Sequence, residues 1–137
     1  MKEEKKINLL IVDDDVINVR GLQLRISKQY KNITVETAYD GFSALRRIRQ
    51  GGINAVLTDV MMPDMDGCEL YNKIKETDND IQVIMMTAFY DPSHAVIRAK
   101  VKGLKDVVPS LELIEKQDLA DIIFQKIEQH FLNSEEE

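Results

Sequence analysis

One cysteine, two histidines and no hydrophobic run long enough to cross a bilayer set the first limits on this chain. A lone Cys68 cannot form an internal disulfide, which points to a reducing cytoplasm. His94 and His130 do not stand at ligand or phosphorelay spacing, so both are read as solvated positions on helices. The charged start MKEEKK leads into a short apolar stretch that contains Asn8 and runs straight into three aspartates. That pattern is neither a secretory signal nor a membrane span, and no membrane partner is expected. Basic charge is also scarce: 18 Lys and Arg against 24 Asp and Glu leave a formal net charge of -6. A nucleic-acid footprint needs a basic face, so direct nucleic-acid binding is not expected. Internal repeats, low-complexity blocks and linkers are lacking too. The expectation is one domain over residues 1–137, with a core at about 6–132 and an acidic tail at 133–137.

What is present is a regular alternation of short apolar runs and amphipathic stretches. Residues 6–12, KINLLIV, read as a buried strand, and Asp13, Asp14 and Asp15 follow directly. Val16, Val19, Leu22 and Ile26 then fall on one helical stripe, with Asp15 placed to cap it. Residues 33–37 form a second strand, Asp40-Gly41 a turn, and Phe42, Leu45 and Ile48 a second helix ending at Gly51-Gly52. Residues 53–58 are a third strand that delivers Asp59 at its end. Residues 67–77 are a helix and 81–86 a fourth strand that stops at Thr87. Asp91-Pro92 opens a helix to about residue 102, Val107-Val108 is a short fifth strand, and residues 118–132 are a last amphipathic helix. Strand–helix alternation with short connections implies a five-stranded parallel sheet covered by helices on both faces, a doubly wound α/β domain.

Three of these strands end in an oxygen-bearing side chain at the same edge: Asp13 and Asp14 after the first, Asp59 after the third, Thr87 after the fourth. In doubly wound sheets ligands bind at the carboxyl ends of the strands, where the strand order reverses. Carboxylates crowded there raise one another's pKa unless a cation joins them. Hard oxygen donors without Cys or His select Mg²⁺, which commonly bridges carboxylates to a phosphate. Mg²⁺ and a phosphoryl group are therefore the predicted ligands.

Four segments, LLIVDDD at 9–15, TDVMMPDMDG at 58–67, IMMTA at 84–88 and Gly103 before the last strand, together resemble the receiver domain of two-component response regulators. The resemblance covers residues 6 to about 132. It implies a flavodoxin-like (βα)5 sandwich with strand order 2-1-3-4-5. It also implies a signalling role rather than a classical enzyme activity: Asp59 takes a phosphoryl group from a sensor histidine kinase or phosphotransfer protein, and the change in conformation is passed to a downstream protein. By the same resemblance Asp14 ligates Mg²⁺ directly together with Asp59, Asp13 acts through water, and the backbone carbonyl of Met61 is a further ligand. Thr87 supplies the hydroxyl that meets the phosphoryl oxygen.

One position departs from the family pattern. Where receivers usually place a lysine before proline, this chain has Asp106-Val107-Val108-Pro109 and then Ser110, with Val107 at the switch aromatic. An alternative register makes residues 111–116 the last strand and Lys116 the lysine. With Ser110 in that place a fixed positive charge is missing, which predicts phosphorylation with a weakened or rewired response. The more severe version is a degenerate receiver that acts as a phosphorylation-independent interaction module. A haloacid-dehalogenase-type phosphatase, with Asp13 as nucleophile and Asp15 two residues on, is the enzyme alternative. It lacks the downstream motifs and cap such enzymes need. A flavodoxin-like flavin binder would place three aspartates against the cofactor phosphate. Met61, Met62, Met65, Met85 and Met86 are read as core and loop filler. Cys68 is read as a packed small residue, and Phe89 and Tyr90 as a candidate partner surface.

Overall fold

The computed structural model describes residues 6–87, 107–109 and 116–136, with side-chain surroundings for 6–86 and 120–130. In chain order the elements are β1 (Ile7–Val12), α1 (Val16–Gln29), β2 (Ile33–Ala38), α2 (Gly41–Arg49), β3 (Ala55–Asp59), α3 (Gly67–Thr77), β4 (Gln82–Thr87), β5 (Val107–Pro109) and α4 (Lys116–Glu136). The expected helix from Asp91 to about residue 102 lies outside the described residues, as do Phe89, Tyr90, His94 and Ser110.

The strands pair in the order β2-β1-β3-β4-β5 and every pairing is parallel. The order therefore reverses between β1 and β3, which lie side by side with Val12 opposite Thr58. This is the switch point at which an open α/β sheet binds its ligands. β5 is held by β4 through Met85–Val107, Met86–Val108 and Thr87–Pro109. That pairing uses Val107–Pro109 as the last strand, and residues 110–115 of the alternative register lie outside the described residues. Lys116 instead opens α4, so it does not stand at a strand end. α4 runs on to Glu136, taking Ser134–Glu136 of the expected acidic tail into the helix. Glutamate is a good helix former, and the helix continues through it.

The central strands β1, β3 and β4 are apolar on both faces, as a sheet sandwiched between helices requires, while the edge strand β2 alternates. On one side Leu9, Ile11, Leu57 and Ile84 pack with Val19, Leu22 and Ile26 of α1 and Ala120, Ile123 and Ile127 of α4. On the other, Leu10, Val12, Val56 and Met85 pack with Leu45 and Ile48 of α2 and Leu70 and Ile74 of α3. Each such leucine or isoleucine, once fully buried, contributes about 1.5–3 kcal/mol. Met62, Met65, Met85 and Met86 are buried among them, as filler was expected to be, whereas Met61 is exposed.

Three consecutive helices start at the same sheet edge, each with an aspartate at its N-cap. Asp15 accepts from the Asn18 N–H, Asp40 from Ser43 and Asp66 from Glu69. Each cap satisfies one of the N–H groups that a helix start leaves without an intrahelical partner. Asp40 also accepts from the Ser43 hydroxyl at 3.1 Å, and these bonds hold its carboxyl below the usual range. Asp40→Ala should therefore lower stability by about 1 kcal/mol, read by urea unfolding at neutral pH. Part of that loss should disappear in acid, because a depressed pKa contributes only while the group is ionised.

Candidate functional site

β1 ends at Val12, yet the Asp13 N–H still donates to the Ala38 carbonyl at 3.2 Å, so Asp13 remains tied to the sheet. Its side chain is buried, and one carboxylate oxygen accepts from the Asp15 N–H at 3.0 Å. Asp14 is exposed. Asp59 closes β3, half-buried, and its Oδ1 accepts from the Met61 N–H at 3.4 Å. The parallel pairing of β1 with β3 brings these strand ends together. One carboxylate oxygen each from Asp13, Asp14 and Asp59 fits within 4.8 Å of the others. The spacing in sequence, 13 and 14 against 59, shows this only when the strand order is known.

The electrostatics of the cluster fall on its most buried member. Asp13 is pushed up to about 7, mainly by burial, with the charges of Asp59 and Asp14 adding to the shift. The Asp15 N–H opposes it without cancelling it. A buried carboxylate raised this far, with two further carboxylates beside it, marks a site short of positive charge. The donor set consists of oxygens alone, and no cysteine or histidine belongs to the group. A small hard divalent cation fits those donors better than zinc or copper.

The loop after Asp59 is shaped to turn back at once. Asp64 takes a left-handed conformation at φ 68, and the Met65 N–H donates to Pro63 O at 2.7 Å. The Gly67 N–H then donates to Val60 O at 2.8 Å, seating the start of α3 on the end of β3. Thr58, fully buried, donates its hydroxyl to the Asp59 carbonyl at 3.1 Å. Neither Thr58 nor the contact of Gly67 was foreseen from the sequence, where Gly67 read only as a turn and helix start.

Thr87 ends β4 beside Pro109, at the same edge as the carboxylates, and its side chain lies outside the described residues. Ser110 follows β5 directly in sequence and also lies outside them. Cys68 is half-buried in the first turn of α3. His130, read as solvated, is half-buried on α4.

The family profile described as "Response regulator receiver domain" matches residues 9–123. The chain belongs to this family. Among curated relatives, the receiver is 34% identical over 113 residues to the transcriptional regulatory protein ZraR of Salmonella typhimurium, covering 82% of this chain and 25% of that protein. It is 37% identical over 112 residues to the response regulator MprA of Mycobacterium ulcerans, covering 80% of this chain and 46% of that protein. The chain thus spans less than half the length of these relatives. Among solved structures, a two-component transcriptional regulator AraC from Clostridium phytofermentans superposes with a TM-score of 0.74 at 28% identity, covering 96% of this chain and 99% of that one. The signal receiver domain of an HD domain-containing protein from Pseudomonas fluorescens reaches a TM-score of 0.79 at 22% identity, covering 98% and 96%, and shows the shared fold.

Phosphorylation on an aspartate is the general property of this family, and its members generally bind Mg²⁺ in an acidic pocket. Receivers interact with histidine kinases and with downstream effectors, and are not classical enzymes. Among the described residues no helix is long and apolar enough to cross a membrane.

Proposed function

We propose that Asp59 is the phosphoryl acceptor of this receiver, fed by the phosphohistidine of a sensor kinase or phosphotransfer protein in the cytoplasm. The observation that carries this reading is the grouping of Asp13, Asp14 and Asp59 within 4.8 Å at the switch point. Asp59 alone of the three is the last residue of a strand; it is half-buried, and the Met61 N–H orients one of its oxygens. Asp13 is buried and holds its proton up to about pH 7, a poor nucleophile by comparison. In the transfer an Asp59 oxygen attacks phosphorus and the P–N bond to the donor imidazole breaks. The electron pair returns to the ring nitrogen, and the product is an acyl phosphate.

Asp14 and Asp59, with the Met61 carbonyl, would hold Mg²⁺, and Asp13 would act on it through water. When bound, the ion supplies charge neutralisation for the phosphoryl oxygens. Asp13 and Asp14 keep the pocket acidic enough to attract a cation, and the Met61 N–H keeps Asp59 from rotating away. Thr87 is assigned the hydroxyl that meets a phosphoryl oxygen and carries the change to the downstream partner. Phosphotransfer and the later hydrolysis are self-catalysed in this reading.

Incubation with Mg²⁺ and acetyl phosphate, followed by intact mass and trapping of the acyl phosphate by hydroxylamine or borohydride, should place one phosphoryl group on Asp59. A group on Asp13 would favour the phosphatase-like chemistry. No adduct under any donor would leave the acidic pocket as part of an interaction module.

A further inference from the structure

The carbonyl oxygen of Asp59 is bounded on two sides, by the Thr58 hydroxyl and by the backbone of Gly67. Thr58 Oγ1 donates to it at 3.1 Å from a fully buried position. A Cβ placed on Gly67 would lie 2.2 Å from the same oxygen, 3.0 Å from the Val60 Cα and 3.1 Å from the Asp59 carbonyl carbon. Gly67 is not among the positive-φ glycines, which among the described residues are Gly51 and Gly52, so what it provides is space and not a left-handed turn. Its N–H in turn fixes Val60 O at 2.8 Å, and the Val60 N–H donates to Met86 O at 3.0 Å. The peptide run from Asp59 to Met61 is therefore held at successive groups by β4, by α3 and by Thr58.

We propose that Thr58 and Gly67 are positioning residues for the acceptor, seating the Asp59 carbonyl so that the Asp59 side chain and the Met61 peptide face the acidic pocket together. This rests on the reading of Asp59 as acceptor. The start of α2 offers a matched comparison. Gly41, like Gly67, follows an aspartate N-cap as the first residue of its helix and is buried. A Cβ at Gly41 would meet the Met65 side chain, its sulfur at 2.6 Å and its Cβ and Cγ at 3.0 Å. The Met65 sulfur can swing aside, and its Cβ and Cγ at 3.0 Å need give by only a few tenths of an ångström. The carbonyl of Asp59 cannot move without carrying the acceptor with it.

At Gly67 the backbone must open by roughly 1 Å, a misplacement that costs an oriented reaction up to about a hundredfold. Thr58→Val keeps the shape of the side chain and removes only the donor, a change expected to slow the reaction by about fivefold. Thr58→Ser keeps the donor but loses a methyl group from a fully packed site, which costs stability.

The test measures three properties of the full chain: the initial rate of acyl-phosphate formation from acetyl phosphate at saturating Mg²⁺, stability in urea, and the metal-free ¹⁵N amide positions of Val60 and Met61. Expected is an inversion, with Thr58→Ser less stable than Thr58→Val yet phosphorylated at the wild-type rate, while Thr58→Val is slow. Gly67→Ala should be slow and should displace the Val60 and Met61 amides, whereas Gly41→Ala should do neither. Equal rates for wild type, Thr58→Val and Gly67→Ala would overturn the proposal, and so would a Gly41→Ala protein as slow as Gly67→Ala. If Gly67→Ala does not fold, the Thr58 pair decides alone. A wild type without an adduct on Asp59 overturns the acceptor reading instead, and the metal-free amide positions still decide whether the carbonyl is seated by these two residues.

Discussion

Asp59→Asn protein, given Mg²⁺ and acetyl phosphate, is expected to gain no phosphoryl mass under conditions in which wild type is labelled. The amide offers no anionic oxygen to attack phosphorus, and the two carboxylates that remain are poorly suited to replace it. Asp13 is buried and accepts the Asp15 N–H at 3.0 Å. Asp14 lies beyond the end of β1, outside any strand. Removing the charge of Asp59 has a second consequence. That charge helps hold Asp13 near 7, so the substitution should bring Asp13 part of the way back toward an ordinary aspartate, leaving the larger effect of burial in place. Carboxyl ¹³C titration of metal-free protein would follow the change directly. Labelling that persists in Asp59→Asn would move the nucleophile to Asp13 and end the acceptor reading. Persistent labelling with an unmoved Asp13 titration would, in addition, show that the two carboxylates do not sense each other.

The edge strand β2 alternates, with Thr34 exposed and Glu36 half-buried. By contrast, β1, β3 and β4 could be read from the chain because each is a short, mainly apolar run bounded by aspartate, threonine or glycine and buried on both faces. A period of two is erased in such strands, so their lengths and stops carry the information instead. Boundaries were less readable. Ile53 and Asn54 look like strand residues, yet Gly51 and Gly52 turn the chain at φ 88 and 91 and β3 begins at Ala55. Asn54 meets Asn8 partly through its side chain, accepting the Asn8 N–H at 2.8 Å. That side-chain bond takes the place of a ladder hydrogen bond, and no propensity scale registers it.

The three carboxylates were readable as strand-end residues only together, with Asp59 and Thr87 at matching strand ends, since an aspartate after an apolar run is by itself more often a helix cap or a turn. Their grouping depends on β1 lying beside β3, which the resemblance supplied and local pattern could not. Thr58 and Gly67 escaped notice for a different reason. A buried threonine in a strand and a glycine before a helix are both ordinary, and what distinguishes them here is a shared contact with one carbonyl oxygen. Contacts of that kind exist only in three dimensions.

Asp13→Asn should make the metal-free protein more stable at pH 8 and nearly unchanged at pH 4. In the folded protein Asp13 titrates near 7, against about 3.8 when the chain is unfolded. Below about pH 4 both states carry the proton and Asp13 costs nothing. Between about 4 and 7 the unfolded chain releases its proton while the folded one retains it, so stability falls as pH rises, levelling off above about 7. At roughly 1.4 kcal/mol per pKa unit, the ceiling of this loss is about 4 kcal/mol. Asparagine keeps an oxygen for the Asp15 N–H and carries no charge to desolvate, so the variant should escape the loss. The quantity to plot is the difference in urea unfolding free energy between variant and wild type from pH 4 to 8, which cancels the titration of Glu36, Asp40 and other distant carboxylates. A flat difference would show that Asp13 is not held near 7. Added Mg²⁺ should narrow the gap: at a hundredfold excess over its dissociation constant a ligand stabilises by about 2.7 kcal/mol, and the variant, short of one carboxylate, should bind it more weakly. Asp13 thus weakens the empty fold above neutral pH and is useful only once a cation shares its pocket, the relation expected of a charge that serves the site and not the core.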